Sequence, residues 1–194
     1  MLIGKNKLCY WGIPKNSTSF ISSHLSELNW ESLDIKDINR SYTIFMVLRD
    51  PYQRWISGFV EEIYGQDHTT LYQKIIKDIL NNDFWFVDQI LETKNFNIGW
   101  HTKLQVNFMP HKFSGEVVYF KQENNLNFKL NHFLLGEGIK SNFLNLPKKH
   151  VRNNLPMYKN IENFLSDEKN SKYKESLVEY LKPDHDLINT VAFY

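Results

Sequence analysis

The chain is short of the residues that mark several common protein classes. Cys9 is its only cysteine, so no internal disulfide can form, and a reducing compartment fits. Cys9 lies in an apolar run and reads as a buried hydrophobe, not as a nucleophile. One cysteine cannot build a thiolate zinc site and the 7 histidines are scattered, so no metal centre is expected. Charge of one sign is also missing. Lys and Arg total 23 against 22 Asp and Glu, a net charge of +1 without a long basic run, which argues against a surface that coats nucleic acid. No run of roughly 18 or more apolar residues exists, nor the apolar core of a signal peptide, so the expectation is a soluble, cytoplasmic protein. Repeats and low-complexity segments are absent. What the chain does have is 194 residues at 42% hydrophobic and 15% aromatic content, enough for a well-packed core, and a single domain over 1–194 is expected.

Periodicity divides the chain into strands over 8–12, 43–48 and 116–121, separated by helices over 18–29, 51–64, 69–81, 83–92 and 125–135. Further helices are expected over 157–166, 171–181 and 184–191. Strands that alternate with helices predict an α/β fold, a small central parallel sheet flanked by helices in three layers. Ligands on such sheets bind beyond the carboxyl ends of the strands. The stretch 140–154, with Pro147 and the run Lys148-Lys149-His150-Val151-Arg152, reads as a surface loop whose charges are either solvated or turned to a ligand.

Two short segments sit where an apolar strand hands over to a helix: Ile13-Pro14-Lys15-Asn16-Ser17-Thr18-Ser19-Phe20, and Arg49 to Ser57. A helix N-terminus presents N–H groups and partial positive charge, and Lys15 adds a full charge. The hydroxyls of Ser17, Thr18 and Ser19 could either reach phosphate oxygens or cap the helix. The first segment is not a Walker A loop, which needs G-x-x-x-x-G-K-S/T; Gly12 is the nearby glycine and Lys15 precedes the hydroxyls. That counts against a kinase. Asp50-Pro51 reads as a helix start in preference to a metal-binding strand end. In the second segment an arginine fork, Arg49, and a hydroxyl, Ser57, can converge on one phosphate. Two anion sites on neighbouring strands suggest a ligand with two separated phosphates.

The run R-D-P-x-x-R-x-x-S, here Arg49, Asp50, Pro51, Arg54 and Ser57, resembles the 3′-phosphate segment of sulfotransferases that use 3′-phosphoadenylyl sulfate (PAPS). Pro14 to Ser19 resembles their 5′-phosphosulfate loop, commonly P-K-x-G-S/T-T-S, with Ser17 where the glycine usually stands. The likeness is to the carbohydrate sulfotransferases of the Golgi, family 2, and it extends over most of the chain. Trp100-His101 to Gln105 is similar to their aromatic-flanked H-x-x-x-Q, with the histidine-tryptophan order reversed. Val117 to Leu126 is similar to their third core strand, and Tyr180 to Ile188 to their closing tyrosine, aspartate and apolar pair.

The resemblance implies a P-loop-like fold and transfer of the sulfuryl group of PAPS to a hydroxyl acceptor, best matched by a carbohydrate, without a metal. It implies that Lys15, Asn16, Ser17, Thr18 and Ser19 hold the phosphosulfate, Arg49 and Ser57 the 3′-phosphate, and Lys149 and Arg152 a late basic loop over the nucleotide. Lys15 would stabilise charge on the leaving phosphate. His101 is the preferred base, since an imidazole of ordinary pKa about 6.5 accepts a proton near neutrality. Glu61, Glu62 and His68 compete for that role. Trp85, Trp100 and Phe108 could line a sugar-stacking wall or belong to the core. The anchor usual in the Golgi enzymes is not seen here, which suggests either a bacterial or viral cytoplasmic enzyme or a trimmed form of a longer chain. A non-catalytic nucleotide-binding protein and a P-loop-like kinase are the alternatives.

Overall fold

A computed structural model of the chain describes residues 2–65, 69–143 and 155–194. Its elements run β1 (Leu2–Lys5), β2 (Leu8–Trp11), α1 (Thr18–Glu27), β3 (Glu31–Ser32), β4 (Thr43–Leu48), α2 (Pro51–Gly65), α3 (Thr70–Leu80), α4 (Trp85–Glu92), β5 (Glu116–Lys121), α5 (Leu126–Gly136), α6 (Pro156–Ser166) and α7 (Ser171–Thr190). They fall into two compact units. Among the described residues, the first holds 2–49, 108–143 and 188–194, and the second 50–107 and 155–187.

The first unit is the α/β part. Its sheet has the order β3-β1-β2-β4-β5. The expected strands β2, β4 and β5 are parallel, with Cys9 opposite Ile44 and Ile44 opposite Val117. The sheet as a whole is mixed, because β1 and β3 extend one edge in antiparallel pairing. β1 and β2 form a hairpin whose turn residues Asn6 and Lys7 both take positive φ, 53° and 65°, the turn geometry that matches strand twist. Ile44 through Leu48 are fully buried, as a strand enclosed on both faces requires. Helices α1 and α5 supply Ile21, Leu25, Leu130 and Leu134 to a core shared with Tyr10, Phe45, Val47 and Phe120. Phe143 is buried in that core too, so the stretch expected as a surface loop from 140 begins with a packed anchor. Its basic run lies outside the described residues.

The second unit is helical. The stripe Trp55, Ile56, Phe59, Val60 and Ile63 of α2 is fully buried, the face its periodicity predicts. It packs with Ile75 and Ile79 of α3, Val87 and Leu91 of α4, Ile161 and Leu165 of α6, and Leu177 and Leu181 of α7. Asp50 Oδ1 accepts from Gln53 N at 2.8 Å, so Asp50-Pro51 is a capped helix start. One expectation is corrected here. The break placed at Pro183 does not occur, and α7 runs through it to Thr190. Pro removes one helical hydrogen bond, but Leu181 and Asp184 on either side are buried, and that packing holds the helix together.

Candidate active site

In the first unit, β2 is followed by Gly12, where a Cβ would collide with Thr18 Cγ2 at 2.5 Å and crowd Tyr10 Cε1 at 3.2 Å. Glycine lets the chain turn there against its own helix. The loop that follows is tied down from within. Asn16 N donates to Ile13 O at 3.2 Å, and the fully buried Asn16 side chain donates through Nδ2 to Val47 O of β4 at 2.8 Å. The Thr18 hydroxyl donates to Ile13 O, while the buried Tyr10 Oη donates to Thr18 Oγ1 at 3.5 Å. Burial pushes the Tyr10 hydroxyl well above its ordinary pKa, so it stays a donor.

The backbone of this loop is its most specific feature. Lys15 and Ser17 both take positive φ, 68° and 60°, with Asn16 between them outside that region. Alternation between left-handed and ordinary residues is the backbone pattern found in anion-binding nests, although here the Asn16 N–H is given to Ile13 O. Ser17 opens α1, with its carbonyl accepting from Ile21 N at 2.9 Å, yet its side chain makes no capping bond. The capping alternative for that hydroxyl is therefore not used. From the end of β4 the Arg49 guanidinium reaches the loop, donating through Nη1 to Lys15 O at 3.2 Å, and only 7% of Arg49 is exposed. The fold thus brings Lys15 and Arg49 together. No acidic residue lies between Gly12 and Phe20.

In the second unit, Ser57 is buried on α2, and its neighbour Gly58 lies so close to the His101 carbonyl that a Cβ would overlap it. That approach seats the 3-10 turn Trp100–Thr102 on α2. His101 N donates to Glu62 Oε1, and Glu62 also packs on Gly99. Arg54, 1% exposed, donates through Nη1 to Lys103 O at 2.6 Å. From α7, Tyr180 Oη donates to Thr102 O at 3.4 Å, and fully buried Asp184 accepts from Gln105 N at 2.7 Å and Val106 N at 2.9 Å. Burial raises the Asp184 pKa above the aspartate range, opposed by those two N–H groups and by the charge of Arg54. The H-x-x-x-Q spacing has its meaning here. His101 is anchored at one end of the segment and Gln105 at the other.

Two of the aromatics are occupied differently. Trp85 donates through Nε1 to Asp78 Oδ2 at 2.8 Å and lies 5.3 Å from Lys74 Nζ, a helix-packing residue. Trp100 is 55% exposed, with Lys103 Nζ 4.7 Å from its ring centre. Lys149, Arg152 and His68 lie outside the described residues. Cys9 is fully buried, and desolvation raises its thiol to about 12, which leaves it protonated and inert. Among the described residues no cluster of His, Cys, Asp and Glu could hold a metal, and no helix is long and apolar enough to cross a membrane.

The roles of Arg54, Glu62 and Asp184 as anchors were beyond reach of sequence reasoning, although Arg54 and Asp184 each stand in a motif. Charged residues with no local partner in sequence read as surface, and these find partners on a distant loop.

No curated protein and no solved structure matches the chain. A family model does, and it covers both units. The match to the Sulfotransferase family runs over residues 1–184, and with most of its length so covered the chain belongs to that family, in its family 2 type.

Proposed function

We propose that the chain, acting as one domain over 1–194, transfers the sulfuryl group of PAPS to a hydroxyl, in a carbohydrate acceptor, and releases adenosine 3′,5′-bisphosphate. The observation that supports the reading is the loop Lys15–Ser17, where left-handed backbone at Lys15 and Ser17, a lysine and the reach of Arg49 to Lys15 O come together in a segment whose sequence carries no acidic residue. Such a donor set fits a phosphosulfate. PAPS, when bound, supplies a sulfuryl group on a phosphate leaving group.

The chain's own residues have two tasks in this scheme. Lys15 and the hydroxyls of Ser17 and Ser19 bind the phosphosulfate, while Asn16 and Thr18, expected to share that role, give their donors to Val47 O and Ile13 O and shape the loop. The Lys15 ammonium balances charge on the phosphate oxygen as its bond to sulfur breaks. Arg49 and Ser57 bind the 3′-phosphate, with Lys149 and Arg152 as further cations. His101 takes the acceptor's hydroxyl proton as the new oxygen–sulfur bond forms. No proton is left over and no metal is required. A cytoplasmic setting suits the single reduced cysteine.

The test is transfer of labelled sulfate from PAPS to a panel of hydroxylated saccharides. Wild-type protein is expected to label at least one, and Lys15→Ala and His101→Ala to lose about 100-fold or more, in line with the worth of positioned charge and a general base. Normal binding of PAPS with no transfer to any acceptor would favour a non-catalytic nucleotide-binding protein.

A further inference from the structure

The segment from Gly99 to Val106 is held by side chains that reach its main chain from two helices of the same unit. Glu62 and Arg54 of α2 take His101 N–H and Lys103 C=O, and Tyr180 and Asp184 of α7 take Thr102 C=O and the N–H groups of Gln105 and Val106. Every residue from His101 to Val106 except Leu104 has a main-chain group fixed this way. Two of the anchors, Arg54 and Asp184, are charged and essentially inaccessible to water. Apolar side chains of similar volume would hold two helices together at lower desolvation cost. What they could not do is set the main-chain register of an irregular loop.

We infer that Glu62, Arg54 and Asp184 are positioning residues that fix the backbone on both sides of His101 and so aim its imidazole, an inference that rests on the proposed sulfuryl transfer with His101 as base. Glu62 is the informative member. As a competing base it would need its carboxylate proton affinity, whereas as an anchor it needs only an acceptor oxygen for His101 N–H. Glu62→Gln keeps the oxygen and abolishes the base; Glu62→Ala removes both. Glu62 is also half-buried, not enclosed, so its replacement leaves the helical core intact.

The experiment compares wild type, Glu62→Gln, Glu62→Ala and Asp184→Asn by kcat and KM with PAPS and the best acceptor. It also follows exchange of the His101, Gln105 and Val106 amides and the imidazole titration of His101 by NMR. Expected are a kcat within about 3-fold of wild type for Glu62→Gln and a fall of about 10-fold or more for Glu62→Ala and Asp184→Asn, with the KM for PAPS little changed. Exchange at His101 should rise in Glu62→Ala only, and at Gln105 and Val106 in Asp184→Asn, where the amide nitrogen must face one N–H. If Glu62→Gln is as inactive as Glu62→Ala, or if Glu62→Ala retains wild-type kcat, the inference is overturned. Should Asp184→Asn not fold, the Glu62 pair decides alone. Absence of transfer by wild type would defeat the proposed function instead. The exchange data would then judge the anchoring by themselves, unchanged protection at His101 in Glu62→Ala overturning it.

Discussion

Replacing Ser17 by glycine should stabilise the protein, an unusual direction for a residue in a candidate site. Ser17 sits at φ 60° and ψ 16°, a left-handed conformation that costs a non-glycine residue roughly 1–2 kcal/mol. Glycine adopts it freely but loses about 0.5–1 kcal/mol more backbone entropy on folding. The serine hydroxyl makes no capping bond to α1, so the substitution forfeits no such bond. The difference leaves a gain of about 0–1.5 kcal/mol, equivalent to a rise in Tm of up to about 6 °C for a chain of this size. Scanning calorimetry or urea unfolding of wild type, Ser17→Gly and Ser17→Val reads it directly, with valine expected to fall below wild type because a β-branched residue tolerates positive φ least. A Ser17→Gly protein less stable than wild type, or a Ser17→Val protein equal to it, would refute the left-handed geometry and remove support for the proposed anion site at Lys15–Ser17.

Three further outcomes follow from the same structure. Gly58→Ala drives a methyl group into the His101 carbonyl and should cost about 1–3 kcal/mol, seen as a lower urea midpoint; an unchanged midpoint would mean that α2 and the Trp100–Thr102 turn are not in close contact. Cys9 should give no reaction with Ellman's reagent in the native protein at pH 8 and one equivalent after unfolding, since it is fully buried with its thiol raised to about 12; rapid native labelling would contradict its burial in β2. Asp184 has a raised native pKa, so the stability due to its protonated form is complete below the ordinary aspartate value and is lost as pH rises through the higher native one. Wild type should therefore lose ground against Asp184→Asn as pH increases from about 3 to 7, and a constant difference between their unfolding free energies would argue against a desolvated carboxyl.

The sequence was most legible where the signal is local and repeated. The α2 stripe from Trp55 to Ile63 and the apolar run Thr43–Leu48 declare a helix face and a buried strand by period alone. β1 and β3 escaped because each is short, and Glu31 and Ser32 are exposed polar residues made into a strand only by pairing with Ile3 and Gly4. Pro183 misled because its local cost is real while the packing that outweighs it is tertiary. At the candidate site, the Lys15 loop and Arg49 could be found by chemistry and motif. The burial of Asn16 against Val47 O, and of Arg54 and Asp184 against the His101 segment, depends on partners far along the chain.

The most direct measurement is a calorimetric titration with adenosine 3′,5′-bisphosphate in metal-free buffer, set beside ATP with Mg²⁺ and beside the Arg49→Ala protein. The account predicts tight binding of the bisphosphate without metal, weakened at least about 10-fold when the Arg49 fork is removed, the scale of a charge-assisted bond. No binding of the bisphosphate, or a clear preference for Mg-ATP, would contradict it.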